Sequence, residues 1–214
     1  MNTPTSQRKY HHGDLRRALL DAAATQDAES ISLRELATGL GVTPASVYRH
    51  FDSKQALLDE LAVQGFSKLR ALFAECFDLD TDPVDSHDAV VRLLKLGTAY
   101  LRFADQDPAI WRLMFGVHAS AYRQRATADG LTSSYSYLPA ALRGIHRSGL
   151  LPRAPKDSDI LFAWSAIHGL AALRQGGLPV ARMPATTAAS LVARRILSGL
   201  EASTLPQEWF SPAD

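Results

Sequence analysis

An all-α fold is what this sequence predicts, with three short helices at the N-terminus and a longer helical body behind them. Three observations carry that expectation. Apolar residues recur at i, i+3, i+4 and i+7 over most of the 214 residues, the spacing of one helix face. Breakers such as "DQDP", "GLLPRAP" and "GGLPVARMPA" separate the periodic runs, as proline- and glycine-bearing stretches do. No useful length of sequence alternates apolar and polar residues as a half-buried strand does, and no repeat is evident.

Composition bounds the class of protein. An apolar content of 46% is enough for a real core. A net charge of only +1 means that an acidic partner must be met by a local patch. Cys76 is the single cysteine, so no intramolecular disulfide forms, which fits a reducing compartment. Set among Phe73, Ala74 and Phe77, it reads as a buried, inert thiol. The opening "MNTPTSQRKYHHGD" has no apolar segment of the signal-peptide kind. The longest apolar run, Ile160 to Leu173, spans 14 residues and contains Ser165 and His168. It is too short to cross a bilayer and reads as a buried helix. A cytoplasmic protein without membrane association is the expectation.

The elements follow in order. Leu15, Ala18, Leu19, Ala22 and Ala23 mark a first helix, with Asp14 placed to cap its first turn. Ser32 and Glu35 have the spacing of a capping box and open a second helix that buries Leu33, Leu36, Ala37 and Leu40. Gly41 ends it. Thr43 caps a third helix, and Pro44 follows where a missing N–H costs nothing. A fourth starts near Asp52 or Ser53 and stays apolar through Leu57, Leu61, Phe66, Leu69 and Phe73.

Two short helices across a tight glycine turn, followed by a long one, describe a helix-turn-helix. On a helical wheel of residues 44 to 51, Val47 and Phe51 lie on the inward side. Ala45 and Arg49 then point outward, flanked by Ser46 and Tyr48. Small residues for close approach, a fork of donors and two hydroxyls suit the major groove of double-stranded DNA. Thr43, Tyr48, His50 and Lys54 are candidates for phosphate contact, with Arg8, Lys9, Arg16 and Arg17 further back. Residues 1 to 54 hold seven Lys and Arg against six Asp and Glu, a weak signal in bulk. Asp27, Glu29 and Glu35 lie before or within the second helix and need not share the DNA face.

The stretch "SISLRELATGLGVTPASVYRHFDSKQALLDEL" resembles the N-terminal domain of the TetR family of bacterial transcriptional regulators. The Leu33–Leu36–Ala37 helix, the Gly41–Val42 turn, Tyr48-Arg49-His50-Phe51, and Ser53-Lys54 with Leu57 carry the likeness. It implies a homodimer that grips a palindromic operator with two such heads. It also implies backbone contacts from Thr43, Tyr48, His50 and Lys54, and base contacts from the outward side of the third helix. Pro44, Ala45, Ser46 and Arg49 complete the expected DNA-binding set. The opening "YHHGDLRRALLDAA" is typical of one branch, in which an N-terminal arm reaches towards the DNA.

With residues 1–60 as the DNA-binding domain, 61–214 become the helical ligand-binding and dimerisation domain. Its helices are legible at about 86 to 105, 108 to 116, 132 to 148, 157 to 175 and 186 to 200. Within "WSAIHGL", Trp164, His168 and Gly169 resemble the signature of the C-terminal domain named WHG. Trp164 and His168, four apart, stack on one helix face. Ala163, Ala166, Gly169 and Ala172 are small and admit a second backbone. A helix apolar nearly all round is buried on several sides, here by its own core and by a twin subunit. The last helix, with Leu191 and Ile196, offers a second apolar surface. The resemblance implies a four-helix dimer interface, and Ala163, Ala166, Gly169, Leu173, Leu191 and Ile196 are its candidates.

An unidentified small-molecule effector calls for an apolar pocket with a few polar groups. Trp111, Met114, Phe115, His118 and Tyr122 are candidates from one helix, with Gly116 placed to interrupt it. Tyr100, Phe103, Trp164 and His168 complete the set. Each of these also reads as ordinary core, and His168 equally as a hydrogen-bonded interior residue. His11 and His12 are adjacent, but no His or Cys spacing supports a metal site, and no cofactor motif is present. An enzyme is disfavoured: there is no nucleophile elbow, phosphate-cradling glycine loop or clustered carboxylate set. A sequence-indifferent architectural protein would need a strongly basic surface. The reading is a homodimeric repressor released from its operator by an effector.

Overall fold

The structure is a computed structural model and describes residues 12–116, 131–179 and 182–201. Among these are nine α-helices and one 3-10 helix, with no strand. The helices are α1 (His12–Ala23), α2 (Leu33–Gly39), α3 (Pro44–Tyr48), α4 (Lys54–Ala74), α5 (Ser86–Gln106) and α6 (Pro108–Phe115). After the 3-10 helix Leu131–Ser136 come α7 (Tyr137–Arg147), α8 (Asp157–Gln175) and α9 (Ala185–Glu201). None is long and apolar enough to cross a membrane.

The described residues form two compact units. One holds the chain up to Arg70 together with Gln106–Thr132, the other Ala71–Asp105 together with the chain from Ser133 onward. This differs from a single cut near residue 60. The physical reason is α6, which packs with the N-terminal helices. An added Cβ on Gly65 of α4 would lie 2.5 Å from Met114 Sδ and 2.6 Å from Ile110 Cγ2, so the missing side chain lets α6 close on α4. Phe66 meets Phe115 edge-on at 5.8 Å. Two ion pairs hold the ends of α6, Lys68 with Asp107 and Arg112 with Asp27.

In the first unit α1, α2 and α3 pack on one another around Leu19, Ala37, Val47 and Leu57, each wholly buried. Ser32 accepts the Glu35 backbone N–H at a long 3.5 Å, and Ser53 accepts that of Ala56 at 3.1 Å. Asp14 lies inside the first turn of α1, where its charge faces the helix dipole, instead of ahead of it.

In the second unit α8 packs on α7 and on α9. Only a narrow stripe of α8 is buried, namely Asp159, Ala163, Ile167 and Ala171. α9 turns Ala188, Ala189, Ala193 and Ile196 inward. Arg174 clamps the far end of α8, pairing with both Asp105 carboxylate oxygens and donating to the Met183 carbonyl. At the near end, Arg153 grips Asp159 with two hydrogen bonds, 2.5 and 3.0 Å. The Arg153 guanidinium holds the Asp159 carboxyl below its usual range.

Candidate functional site

The turn between α2 and α3 is built by local chemistry. Gly41 takes φ +68°, a left-handed conformation that only glycine adopts without strain. Thr43 accepts the Ser46 backbone N–H at 3.3 Å, and Pro44 fills the first helical position. The helix itself ends at Tyr48, shorter than a run through residue 51. Backbone bonds from His50 and Phe51 to the Val47 carbonyl continue the turn, so the expected sidedness survives.

That sidedness is sharp. Val47 is 0% and Phe51 2% exposed, while Tyr48 between them is 47% exposed. Thr43, Pro44, Ala45 and Arg49 are exposed, and Ser46, His50 and Lys54 are half-buried. The outward polar groups are ordered among themselves: Thr43 Oγ1 and Ser46 Oγ lie 2.9 Å apart, and Arg49 donates to Ser46 at 3.1 Å. Lys54 donates to the Glu29 carbonyl at 2.9 Å, which anchors the start of α4 to the loop before α2.

Arg16, an expected phosphate contact, is turned to internal work. It donates to the His50 carbonyl at 3.0 Å, pairs with Glu60, and lies over the Phe51 ring at 4.7 Å. Arg17 is open to solvent, with Asp21 at 3.9 Å. The wheel of residues 44 to 51 carries no trace of the Arg16 clamp, because its partners are 34 and 44 positions away. Arg8, Lys9 and the N-terminal arm up to His11 lie outside the described residues.

The second unit contains a small, part-open apolar cavity. α5, α8 and α9 supply most of its wall, through residues such as Leu96, Tyr100, Trp164, Ile167, Val192 and Ile196. Phe73, from the last turn of α4, also lines it. Of the expected ligand set, Tyr100 and Trp164 are here. His168 sits behind them, with Nδ1 2.6 Å from the Tyr100 hydroxyl and its ring stacked on Trp164. Phe103 is fully buried but is not part of the wall. Trp111, Met114 and Phe115 belong to α6 and the first unit and are not among the residues of this wall. His118 and Tyr122 lie outside the described residues.

The expected dimer residues also divide. Ala163 and Ile196 are buried and line the cavity. Ala166 and Gly169 are half-buried, and Leu173 and Leu191 are 46% and 48% exposed. Sequence reasoning missed Phe162, which is 48% exposed. With Ala166, Gly169 and Leu173 it makes a second stripe at i, i+4, i+7 and i+11, about a third of a turn round from the buried one. That spacing was present in the sequence, but an all-round apolar helix gives no sign of which stripe is inner. Cys76 is half-buried and donates to the Leu72 carbonyl at 3.3 Å. Burial pushes its thiol pKa up, away from the reactive thiolate. Among the described residues no three His, Cys, Asp or Glu side chains converge as a metal site.

A short helix held to a three-helix head by Val47 and Phe51, with its donors outward, is the DNA-binding unit of a helical transcriptional regulator. Comparison with known proteins agrees. Residues 16–61 match the model for bacterial regulatory proteins of the tetR family, and residues 93–197 match that of the tetracyclin repressor-like C-terminal domain. The chain belongs to the TetR family of DNA-binding transcriptional regulators. It is 28% identical over 143 residues to the nucleoid occlusion factor SlmA of Vibrio cholerae, covering 65% of this chain and 69% of that protein. It is 32% identical over 103 residues to the uncharacterized HTH-type transcriptional regulator YobS of Bacillus subtilis, 46% of this chain and 50% of that one. The TetR family regulator PfmR of Thermus thermophilus shares the fold, with a TM-score of 0.66 at 21% identity over 87% of this chain and 98% of that one.

Proposed function

We propose that the protein is a homodimeric, sequence-specific repressor that binds a palindromic operator in double-stranded DNA and is released from it by a small-molecule effector. The observation that carries the DNA half is the alternation of Val47, Tyr48 and Phe51 between buried, exposed and buried. It supports the exposed face of α3 as the one that enters a major groove. Ala45, Ser46 and Arg49 then meet base edges, while Thr43, Pro44, Tyr48, His50 and Lys54 approach the backbone. No role as an enzyme, and no cofactor or metal, is part of this reading, and the place of action is the cytoplasm.

The twin subunit covers the outer stripe of α8 and the Leu191 side of α9. Phe162, Leu173 and Leu191 are otherwise large apolar groups left in water, and Gly169 has no atom within 4 Å of where a Cβ would stand, which leaves room for a second backbone. The effector occupies the cavity beneath. Phe73 gives the coupling its route: it lines the cavity at one end of α4, and the other end of α4 starts six residues after Tyr48. A shift of α4 alters the spacing of the two heads, and a differential affinity of a few kcal/mol is enough to release the operator.

Sedimentation of the protein with and without a bound DNA palindrome tests the assembly, which should be a dimer free and two copies per site bound. A monomer that binds one half-site alone would contradict it. The likeness to a nucleoid occlusion factor favours a second reading, in which bound copies act on the nucleoid and not at promoters. Binding sites scattered across the chromosome, with transcripts unchanged on deletion, would select that reading.

A further inference from the structure

We propose that the cavity of the second unit selects an uncharged, apolar small molecule. This deepens the repressor proposal and rests on it for the molecule's role as effector. Among the described residues thirteen line the space, and none of these is Asp, Glu, Lys, Arg or His. The polar groups among them belong to Tyr100 and Trp164. The Tyr100 hydroxyl is held by His168, and the Trp164 ring is packed between Tyr100 and Tyr135 at 5.2 and 5.5 Å. Four ion pairs of this unit, Arg92 with Asp88, Arg147 with Asp82, Arg153 with Asp159 and Arg174 with Asp105, are formed by residues that are not on this wall. An ionised ligand would meet no counter-ion on this described wall, which a low-dielectric lining disfavours strongly. An apolar one gains by the area it removes from water.

Small side chains let the helices of the wall come close together. Gly97 of α5 faces Ala189 of α9, where an added Cβ would approach to 3.3 Å, and Ala163 and Ala193 stand on the wall beside them. Enlarging the wall should fill the cavity. Val192 is a lining residue that is only half-buried, so Val192→Phe disturbs the core least, and Ala163→Leu fills the space from the opposite helix.

The test uses two fluorescent probes that share one apolar body. N-phenyl-1-naphthylamine is neutral, and 8-anilino-1-naphthalenesulfonate adds a single sulfonate. Each is titrated into the full chain and into Val192→Phe and Ala163→Leu, with thermal unfolding to show that the variants are folded. The neutral probe should bind once per protomer and at least tenfold more tightly than the sulfonate, and a folded variant should lose tenfold or more of that affinity. Equal binding of the sulfonate, no binding of the neutral probe, or binding that both folded variants leave unchanged would each overturn the inference. Adding the neutral probe to the protein–operator complex separates the two proposals. Binding without release leaves the cavity's selectivity standing and removes its role as effector site.

Discussion

The guanidinium of Arg16 lies 4.7 Å from the centre of the Phe51 ring and donates to the carbonyl of the preceding residue, His50. One side chain from α1 thus closes the back of the recognition segment and pins the chain where α3 ends and α4 begins. Arg16→Ala should lower the stability of the head by about 1–2 kcal/mol, since a charge-assisted hydrogen bond and a cation–π contact are lost. The ion pair with Glu60 adds little, being partly exposed. Thermal unfolding of Arg16→Ala beside Arg17→Ala checks this, and the Arg17 variant should unfold as the parent does.

Tyr48→Ala should weaken operator binding by about tenfold, or ~1.4 kcal/mol, and leave the dimer and the fold intact. The side chain is outward and its neighbour Val47 carries the packing. Affinity for a fixed DNA site and sedimentation of the free protein check the two halves separately. A dissociated dimer would show that the division of labour between the units is wrong.

Gly65→Leu should destabilise the protein by about 1–3 kcal/mol through overpacking, although leucine is the better helix former. The new side chain would be driven into Met114 and Ile110 of α6. Met114→Ala in the same chain should recover part of the loss, as a double-mutant cycle in denaturant would read.

Gly169→Leu should do the opposite. Nothing in the protomer lies within 4 Å of the added Cβ, and removing a helix-interior glycine stabilises by roughly 0.5–1 kcal/mol. The dimer should weaken by tenfold or more while the thermal midpoint of the dilute protein holds or rises. Phe162→Glu should weaken it likewise. A dimer unaffected by both would place the twin subunit elsewhere.

Asp159 supplies a pH dependence. Its carboxyl is held below the ordinary range, first by the Arg153 hydrogen bonds and also by the Lys156 backbone N–H at 2.7 Å. A lowered folded-state pKa means stability that is complete above the unfolded value, about 4, and is lost as pH falls through the folded one. Asp159→Asn should be less stable than the parent at neutral pH, and the difference should shrink below about pH 4. A gap constant from pH 7 to pH 3 would contradict this.

What was legible in the sequence follows the range of the interactions. The α2–α3 turn is written in adjacent residues: Gly41 for its left-handed backbone, Thr43 and Pro44 for the start of a helix. Helix bounds elsewhere were equally local, set by breakers such as Pro108 at the start of α6 and Gly176 at the end of α8. The cavity was not. Trp111, Met114 and Phe115 share a helix face, but periodicity says only that the face is buried. The glycine that draws that face to α4 is Gly65, forty-odd residues earlier. Ala163 and Ile196 were assigned to an outer surface for a related reason. α8 and α9 each carry apolar residues on more than one side, and only their packing with each other and with α5 decides which side becomes the inner wall.

The central claim is sequence-specific recognition through the outward face of α3, and selection of bound sequences from a random double-stranded DNA library tests it most directly. The purified protein and Tyr48→Ala would be run side by side at one stated salt concentration, because backbone affinity depends on salt. Enrichment of a single palindrome, lost or greatly reduced with the variant, is the predicted result. Salt-sensitive binding with no enriched sequence, or the same palindrome recovered equally by Tyr48→Ala, would contradict the account.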